Sequence, residues 1–221
     1  MKFTGYVSVR LNSKRLPRKS ILKINGTSLV ERALKTLEGV KEISETVLYC
    51  TDNEIEDHIQ EPLSYKRINR PDETNTDHAT FEDVLGSAID RIETDYVVFL
   101  CCTSPFIKPE TISKMIQSIQ SGEYDSAFAA TEAKTFCWYK NSPLNYSLET
   151  PTPRTQDLDP VLMETSGLYI FSKEDFKRNS RRIGINPYIK IVDDMESWDI
   201  DTPKDFLIAK SISEVINDLS C

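Results

Sequence analysis

The chain has 221 residues, 39% of them hydrophobic and 28% charged, with a formal net charge of −8. That length and balance suit one domain, or one domain with a small appendage, around an ordinary apolar core. The acidic surface argues against general binding to nucleic acid, and no apolar run approaches the ~20 residues needed to span a bilayer. The first residues lack the charged start and apolar stretch of a signal peptide, so a cytoplasmic protein is expected. Cys50, Cys101, Cys102, Cys137 and Cys221 show no paired Cys-x-x-Cys spacing. They read as reduced thiols, the first three as small buried hydrophobes in apolar runs.

In chain order, Phe3 to Val9 reads as a buried strand that breaks into a loop carrying Arg10, Lys14, Arg15, Arg18 and Lys19. Ser28-x-x-Glu31 is a possible capping box ahead of Leu29, Val30, Ala33, Leu34 and Leu37 at helical spacing. Thr46 to Cys50 is a second strand, Glu54 to Gln60 a short helix and Tyr65 to Ile68 a third strand. A polar loop from Arg70 to Asp77 leads into a helix with Phe81, Val84, Leu85, Ala88, Ile89 and Ile92 on one face. Tyr96 to Cys101 is nearly all apolar, as a central strand covered on both faces would be. Pro109 suits a helix start, and Ser126 to Ala130 is a further strand. Strands alternating with amphipathic helices predict an α/β fold with a mostly parallel sheet. From Thr131 to Pro160 the rhythm stops in a stretch rich in Pro, Asn and aromatics. We read it as an arm packing on another subunit. Leu168 to Phe171 resumes strand character, and Pro203 to Leu219 is a closing helix.

Two segments could carry chemistry. The basic loop, at the carboxyl edge of a first strand, can hold phosphates through Arg forks, Lys charges and backbone N–H groups. The alternative is a solvated basic turn. It is neither a Walker A motif nor a Gly-x-Gly-x-x-Gly dinucleotide site. In Asp199-Ile200-Asp201 the two carboxylates point to one side of an extended segment and can share a hard Mg²⁺. Alternatively, Asp201 or Thr202 caps a helix whose first residue is Pro203, and both readings can hold together. Arg181-Arg182 reads as solvated surface, and His58 and His78 are too isolated for a metal site. Nothing resembles a nucleophile elbow.

Taken together these segments resemble the acylneuraminate cytidylyltransferase family, which makes CMP-activated sugar acids. Val9 to Lys19 resembles the family's Ala-Arg-x-x-Ser-Lys-x-x-Pro-x-Lys loop, and Val47 to Asp52 its Val-x-x-Ser-Thr-Asp strand end. Arg70-Pro71, Thr103-Ser104-Pro105, Arg154-Thr155-Gln156-Asp157 and Asp199-Ile200-Asp201-Thr202 with Asp205-Phe206 follow in the family's order. The resemblance implies a Rossmann-like three-layer α/β/α fold over 1–221, a dimerisation arm at 131–160, and a homodimer. It implies cytidylyl transfer from CTP to a small anionic acceptor with Mg²⁺. Arg10, Ser13, Lys14 and Lys19 would hold the triphosphate, with Arg70, Asp77 and Ser104 also contacting the nucleotide. Asp199 and Asp201 would hold the metal, with Arg10, Lys19 and Asp201 central to catalysis. Arg154, Gln156, Cys101 and Ser166 would face the acceptor. Cys101-Cys102 stands where sialic-acid enzymes have Gln-Pro, and Thr165-Ser166-Gly167 where they have an Asn-Gly. These departures point to another nonulosonic or keto-deoxy acid, and leave two further readings: a phosphonate or phosphate acceptor, or a non-catalytic nucleotide-binding regulator.

Overall fold

The computed structural model describes residues 1–76 and 78–220. The chain opens with β1 (Phe3–Val9), a small hairpin of β2 (Lys23–Ile24) and β3 (Thr27–Ser28), then α1 (Leu29–Glu38) and β4 (Ile43–Cys50). Next come β5 (Lys66–Asn69), α2 (Phe81–Ile89), β6 (Tyr96–Leu100), α3 (Pro109–Gln120) and β7 (Ser126–Ala133). A second hairpin, β8 (Trp138–Tyr139) with β9 (Ser142–Pro143), precedes β10 (Val161–Ser172), α4 (Lys173–Asn179), β11 (Pro187–Ile191) and α5 (Pro203–Ser220).

Seven strands form one sheet in the order β11-β7-β10-β6-β1-β4-β5. Pairing is parallel throughout except where β10 runs against β6 and β7. Strand alternation sends side chains to two cores. Phe3, Val7, Val98, Leu100, Leu168 and Ile170 face α1 and α3. Tyr6, Val97, Phe99, Tyr169 and Phe171 face α2 and α4. The result is the expected three-layer α/β/α arrangement with a mostly parallel sheet.

Several local expectations change. Ser28 Oγ does accept from Glu31 N (3.2 Å), but Glu31 does not return the bond. Its buried carboxylate accepts instead from Gln60 N and Glu61 N at 3.1 and 3.0 Å, so half of the capping box is diverted to hold a loop. The short helix expected at 54–60 is a 3-10 turn at Asn53–His58. Arg182, expected at the solvated surface, lies over the rings of Tyr169 (4.6 Å) and Phe81 (5.2 Å). A guanidinium over aromatic faces keeps its charge while covering apolar area.

The segment 131–160 carries more structure than its composition suggests. β7 runs on to Ala133 and β10 starts at Val161, so the two continue as an antiparallel ribbon, Val161 opposite Ala133 and Glu164 opposite Ala130. Asn145 ties the loop between them: its side chain donates to the carbonyls of Thr135 (2.8 Å) and Asp159 (3.0 Å) and accepts from Cys137 N (3.0 Å). The bland polar composition hides this because one Asn satisfies three backbone groups. Phe136, Trp138, Tyr139, Leu144 and Leu148 stay exposed on it.

Candidate active site

β1 reaches the carboxyl edge at Val9 between β4 and β6, whose connections leave it in opposite directions. A crevice at such a switch point is where an open α/β sheet binds ligands. The loop that follows is compact. Arg18 N donates to Leu11 O at 2.9 Å, with Arg18 itself left-handed (φ 58°), and Ser20 Oγ donates to Arg10 O at 3.2 Å. Leu16 and Ile21 anchor it in the core beneath. Burying one such side chain contributes ~1.5–3 kcal/mol, enough to hold several like charges side by side.

The loop then faces the C-terminal part of the chain. Arg10, Ser13, Lys14, Arg15, Leu16, Lys19 and Asp201 line a cleft of about 310 Å³. Lys19 Nζ and Arg15 Nη2 meet the same Asp201 Oδ1 at 3.0 and 2.9 Å. Arg18 leaves the group of five cations, forming a two-pronged ion pair with Glu54. Arg10 Nη1 donates to Thr76 O (2.8 Å) and Asn12 Nδ2 to Asn75 O (3.1 Å), tying the basic loop to the one after β5.

The two readings of residues 199–205 are compatible because they use different atoms. Thr202 caps α5: its Oγ1 accepts from Asp205 N at 3.3 Å, while Asp205 Oδ2 accepts from the N–H groups of Asp201 (3.1 Å) and Thr202 (2.7 Å). Those donors, the Thr202 hydroxyl first, hold the Asp205 carboxyl below its usual range. The Asp201 side chain is thereby left for the cleft, with Ile200 buried between it and Asp199. Asp199 accepts from Thr103 Oγ1. Its burial pushes its pKa up, with the Thr103 hydrogen bond opposing and the charge of Asp201 adding to the rise. Two carboxylates form a hard-oxygen pair of the kind that holds Mg²⁺ together with phosphate oxygens and water. Among the described residues no cluster of three or more His, Cys, Asp or Glu could hold a metal alone. Substrate oxygens would have to complete the shell.

Around this centre the other named residues divide. Arg70 is 8% exposed, and its guanidinium bonds to Thr74 Oγ1 (3.2 Å), Thr74 O and Ser8 Oγ (3.4 Å), all neutral oxygens. Burial lowers its pKa, an effect Tyr6 opposes and Arg10 reinforces. A buried cation with no carboxylate partner among the described residues is costly and suits an incoming anion. Ser104 is also buried, and its hydroxyl has no hydrogen-bond partner among the described residues. Gly167 lies against it: a Cβ on Gly167 would fall 2.4 Å from Ser104 Oγ. Cys101 N donates to Gly167 O at 2.8 Å, placing Cys101 and Ser166 on neighbouring segments. Ser166 is left-handed (φ 59°) at the irregularity that interrupts β10 between Glu164 and Tyr169. Arg154 lies on the arm and pairs with Asp157 of its own turn at 2.7 Å, with Gln156 in that same turn. Asp77 lies outside the described residues.

Arg15 and Thr103 were not singled out from the sequence as separate site residues. Arg15 lies within the basic loop, and Thr103 within the Thr103-Ser104-Pro105 motif directly after the central strand.

A Cytidylyltransferase family model matches residues 5–214. The N-acylneuraminate cytidylyltransferase of Streptococcus agalactiae serotype V is 25% identical over 215 residues, covering 94% of this chain and 52% of that protein. The chain therefore spans about half the length of that relative. The pseudaminic acid cytidylyltransferase of Campylobacter jejuni is 23% identical over 229 residues, with 97% of each chain covered. Among solved structures, a CMP:2-keto-3-deoxy-manno-octonic acid synthetase complexed with CTP superposes with a TM-score of 0.72 at 17% identity, covering 96% of this chain and 98% of that one. That likeness is one of fold.

Proposed function

The chain belongs to the cytidylyltransferase family, and from that premise we propose that it transfers CMP from CTP to a sugar acid of the nonulosonic or keto-deoxy type, releasing pyrophosphate. One observation carries the reading. Four cations, Arg10, Lys14, Arg15 and Lys19, line a small cleft with Asp201, and Lys19 and Arg15 both reach that carboxylate. The relatives' names, N-acylneuraminate and pseudaminic acid cytidylyltransferase, support the sugar-acid class.

In this account a triphosphate draws Lys19 and Arg15 off Asp201, and Arg10, Ser13 and Lys14 take up the remaining phosphate oxygens. Arg70 and Ser104 supply a buried cation and a hydroxyl to the nucleotide. The acceptor oxygen attacks the α-phosphorus, its bond to pyrophosphate breaks in line, and the cations neutralise the charge that builds on the leaving group. Positioning and charge stabilisation do most of the work in such transfers. Asp199 and Asp201 would hold Mg²⁺, which, when bound, polarises phosphate oxygens. Arg154 and Gln156 belong to the acceptor side by way of the arm, whose exposed Trp138 and Tyr139 we assign to a homodimer contact. The free thiols of Cys50, Cys101, Cys102 and Cys137 suit a reducing cytoplasm. No helix among the described residues is long and apolar enough to cross a membrane.

The test is pyrophosphate release from CTP and Mg²⁺ with a panel of sugar acids, phosphonates and sugar phosphates. Release with one or more sugar acids is expected. Release with phosphonates or phosphates alone would move the acceptor to that class. Nucleotide binding with no release from any acceptor would leave a regulator and overturn the proposal.

A further inference from the structure

Cys101 sits in the position where a residue facing the acceptor was expected, yet its thiol is engaged elsewhere. Cys101 Sγ lies 3.0 Å from Thr103 Oγ1, and Thr103 Oγ1 in turn bonds Asp199 Oδ1. A threonine hydroxyl has one proton, and an ionised carboxylate only accepts. The Thr103 proton is therefore committed to Asp199, and its lone pair is left to take the Cys101 S–H. The order of donation is fixed as Cys101 to Thr103 to Asp199.

The backbone holds this line of three side chains rigidly. Ile200 N donates to Thr103 O at 2.9 Å, so one residue ties the carboxylate segment to the end of β6 through both its main chain and its side chain. Cys101 N is itself held by Gly167 O at 2.8 Å, and Ser104 N returns to Cys101 O at 3.0 Å. Asp199 and Thr103 are 96 positions apart, so this contact exists only in the folded chain. Groups hydrogen-bonded to a metal's carboxylate ligands set their direction, and changing them typically costs ~10–100-fold in metal affinity or activity.

We propose that Thr103 is a positioning residue that aims Asp199 at the metal, and that Cys101 acts behind it as the donor that fixes the Thr103 hydroxyl, with no contact to the acceptor. The inference rests on reading Asp199 as a metal ligand. It assigns the two-cysteine departure at 101–102 partly to the metal side of the cleft, so that substitution at Cys101 changes metal binding without retuning acceptor choice.

The experiment follows Mn²⁺ binding to the protein–CTP complex without acceptor, by the enhancement of water-proton relaxation over CTP alone, and in parallel the acceptor KM and kcat. Thr103→Val should weaken Mn²⁺ roughly tenfold, Thr103→Ser should restore it to within about twofold, and Cys101→Ala should fall between them. Circular dichroism of each variant should match the parent. Cys101→Ala should lower kcat while leaving the acceptor KM unchanged. A raised acceptor KM with unchanged Mn²⁺ affinity in Cys101→Ala would overturn the proposal, as would a Thr103→Val protein binding Mn²⁺ like the parent. A parent–CTP complex that shows no Mn²⁺ enhancement at millimolar concentration would also overturn it. The Mn²⁺ series requires no turnover, so failure of cytidylyl transfer would show separately, as no pyrophosphate from the parent with any acceptor.

Discussion

At the scale of single residues, the cleft trades stability for binding. Arg70 is a buried guanidinium whose partners among the described residues are neutral oxygens. Replacing it by an apolar residue of similar volume is often neutral or stabilising for the fold. We expect Arg70→Met to leave unfolding stability within about 1 kcal/mol of the parent while weakening CTP binding by ~10-fold or more. Thermal unfolding and calorimetric titration decide it, and a large loss of stability with unchanged affinity would make Arg70 structural. Lys19 and Asp201 form a partly exposed pair, and such pairs are worth ~0–1 kcal/mol. Lys19→Met should therefore cost little stability yet reduce kcat ~10²-fold, the scale for removing one preorganised charge. Equal losses in stability and turnover would contradict this. The cationic loop and the carboxylate pair were legible from sequence because charge type and spacing survive without coordinates. The burial of Arg70 among the oxygens of Thr74 and Ser8 was not, because it depends on which groups the fold brings to the guanidinium. Nor was the departure of Arg18 to Glu54, which needs two loops to be placed together.

At the scale of elements, α5 and the end of β6 deliver the carboxylates. Its Thr202–Asp205 cap fixes where α5 starts and so where Asp201 stands. Asp205→Ala should destabilise by ~1 kcal/mol at neutral pH. The Asp205 pKa is lowered in the folded state, so its contribution is fully present above the unfolded value of ~3.9 and is lost as pH falls through the folded one. The difference between parent and variant should therefore shrink below about pH 4 in denaturant titrations, and a difference that grows in acid would refute the cap's role. Gly167→Ala has no room beside Ser104, and overpacking of this kind costs ~1–3 kcal/mol. It should also raise the KM for CTP if Ser104 serves the nucleotide; an unchanged KM would remove Ser104 from that set. Long periodic elements such as α1 and α3 were readable because their apolar faces repeat. β11 and α4 were not: β11 is a short edge strand opening on Pro187, and α4 buries only Phe176. Neither has a pattern long enough to exceed its background.

At the scale of the whole molecule, the parallel sheet and the switch point beside β1 bring the basic loop and the distant Asp201 around one cleft. The segment 131–160 exposes Phe136, Trp138 and Tyr139, and the proposed homodimer contact is placed on them. A Trp138→Ser, Tyr139→Ser double variant should shift a dimer toward monomer in light scattering; an unchanged mass would place the contact elsewhere. Alternation of strands and helices made the three-layer fold readable, whereas the arm was readable only as an interruption, because its order comes from Asn145 and from strand pairing across 28 residues, from Ala133 to Val161. The central claim is transfer of the α-phosphoryl group, and positional labelling of CTP tests it most directly. With a sugar acid that supports turnover, label from the α-phosphate should appear in the acceptor product and label from the γ-phosphate in pyrophosphate. Release of the γ-label as orthophosphate, with no α-label joined to the acceptor, would contradict the account.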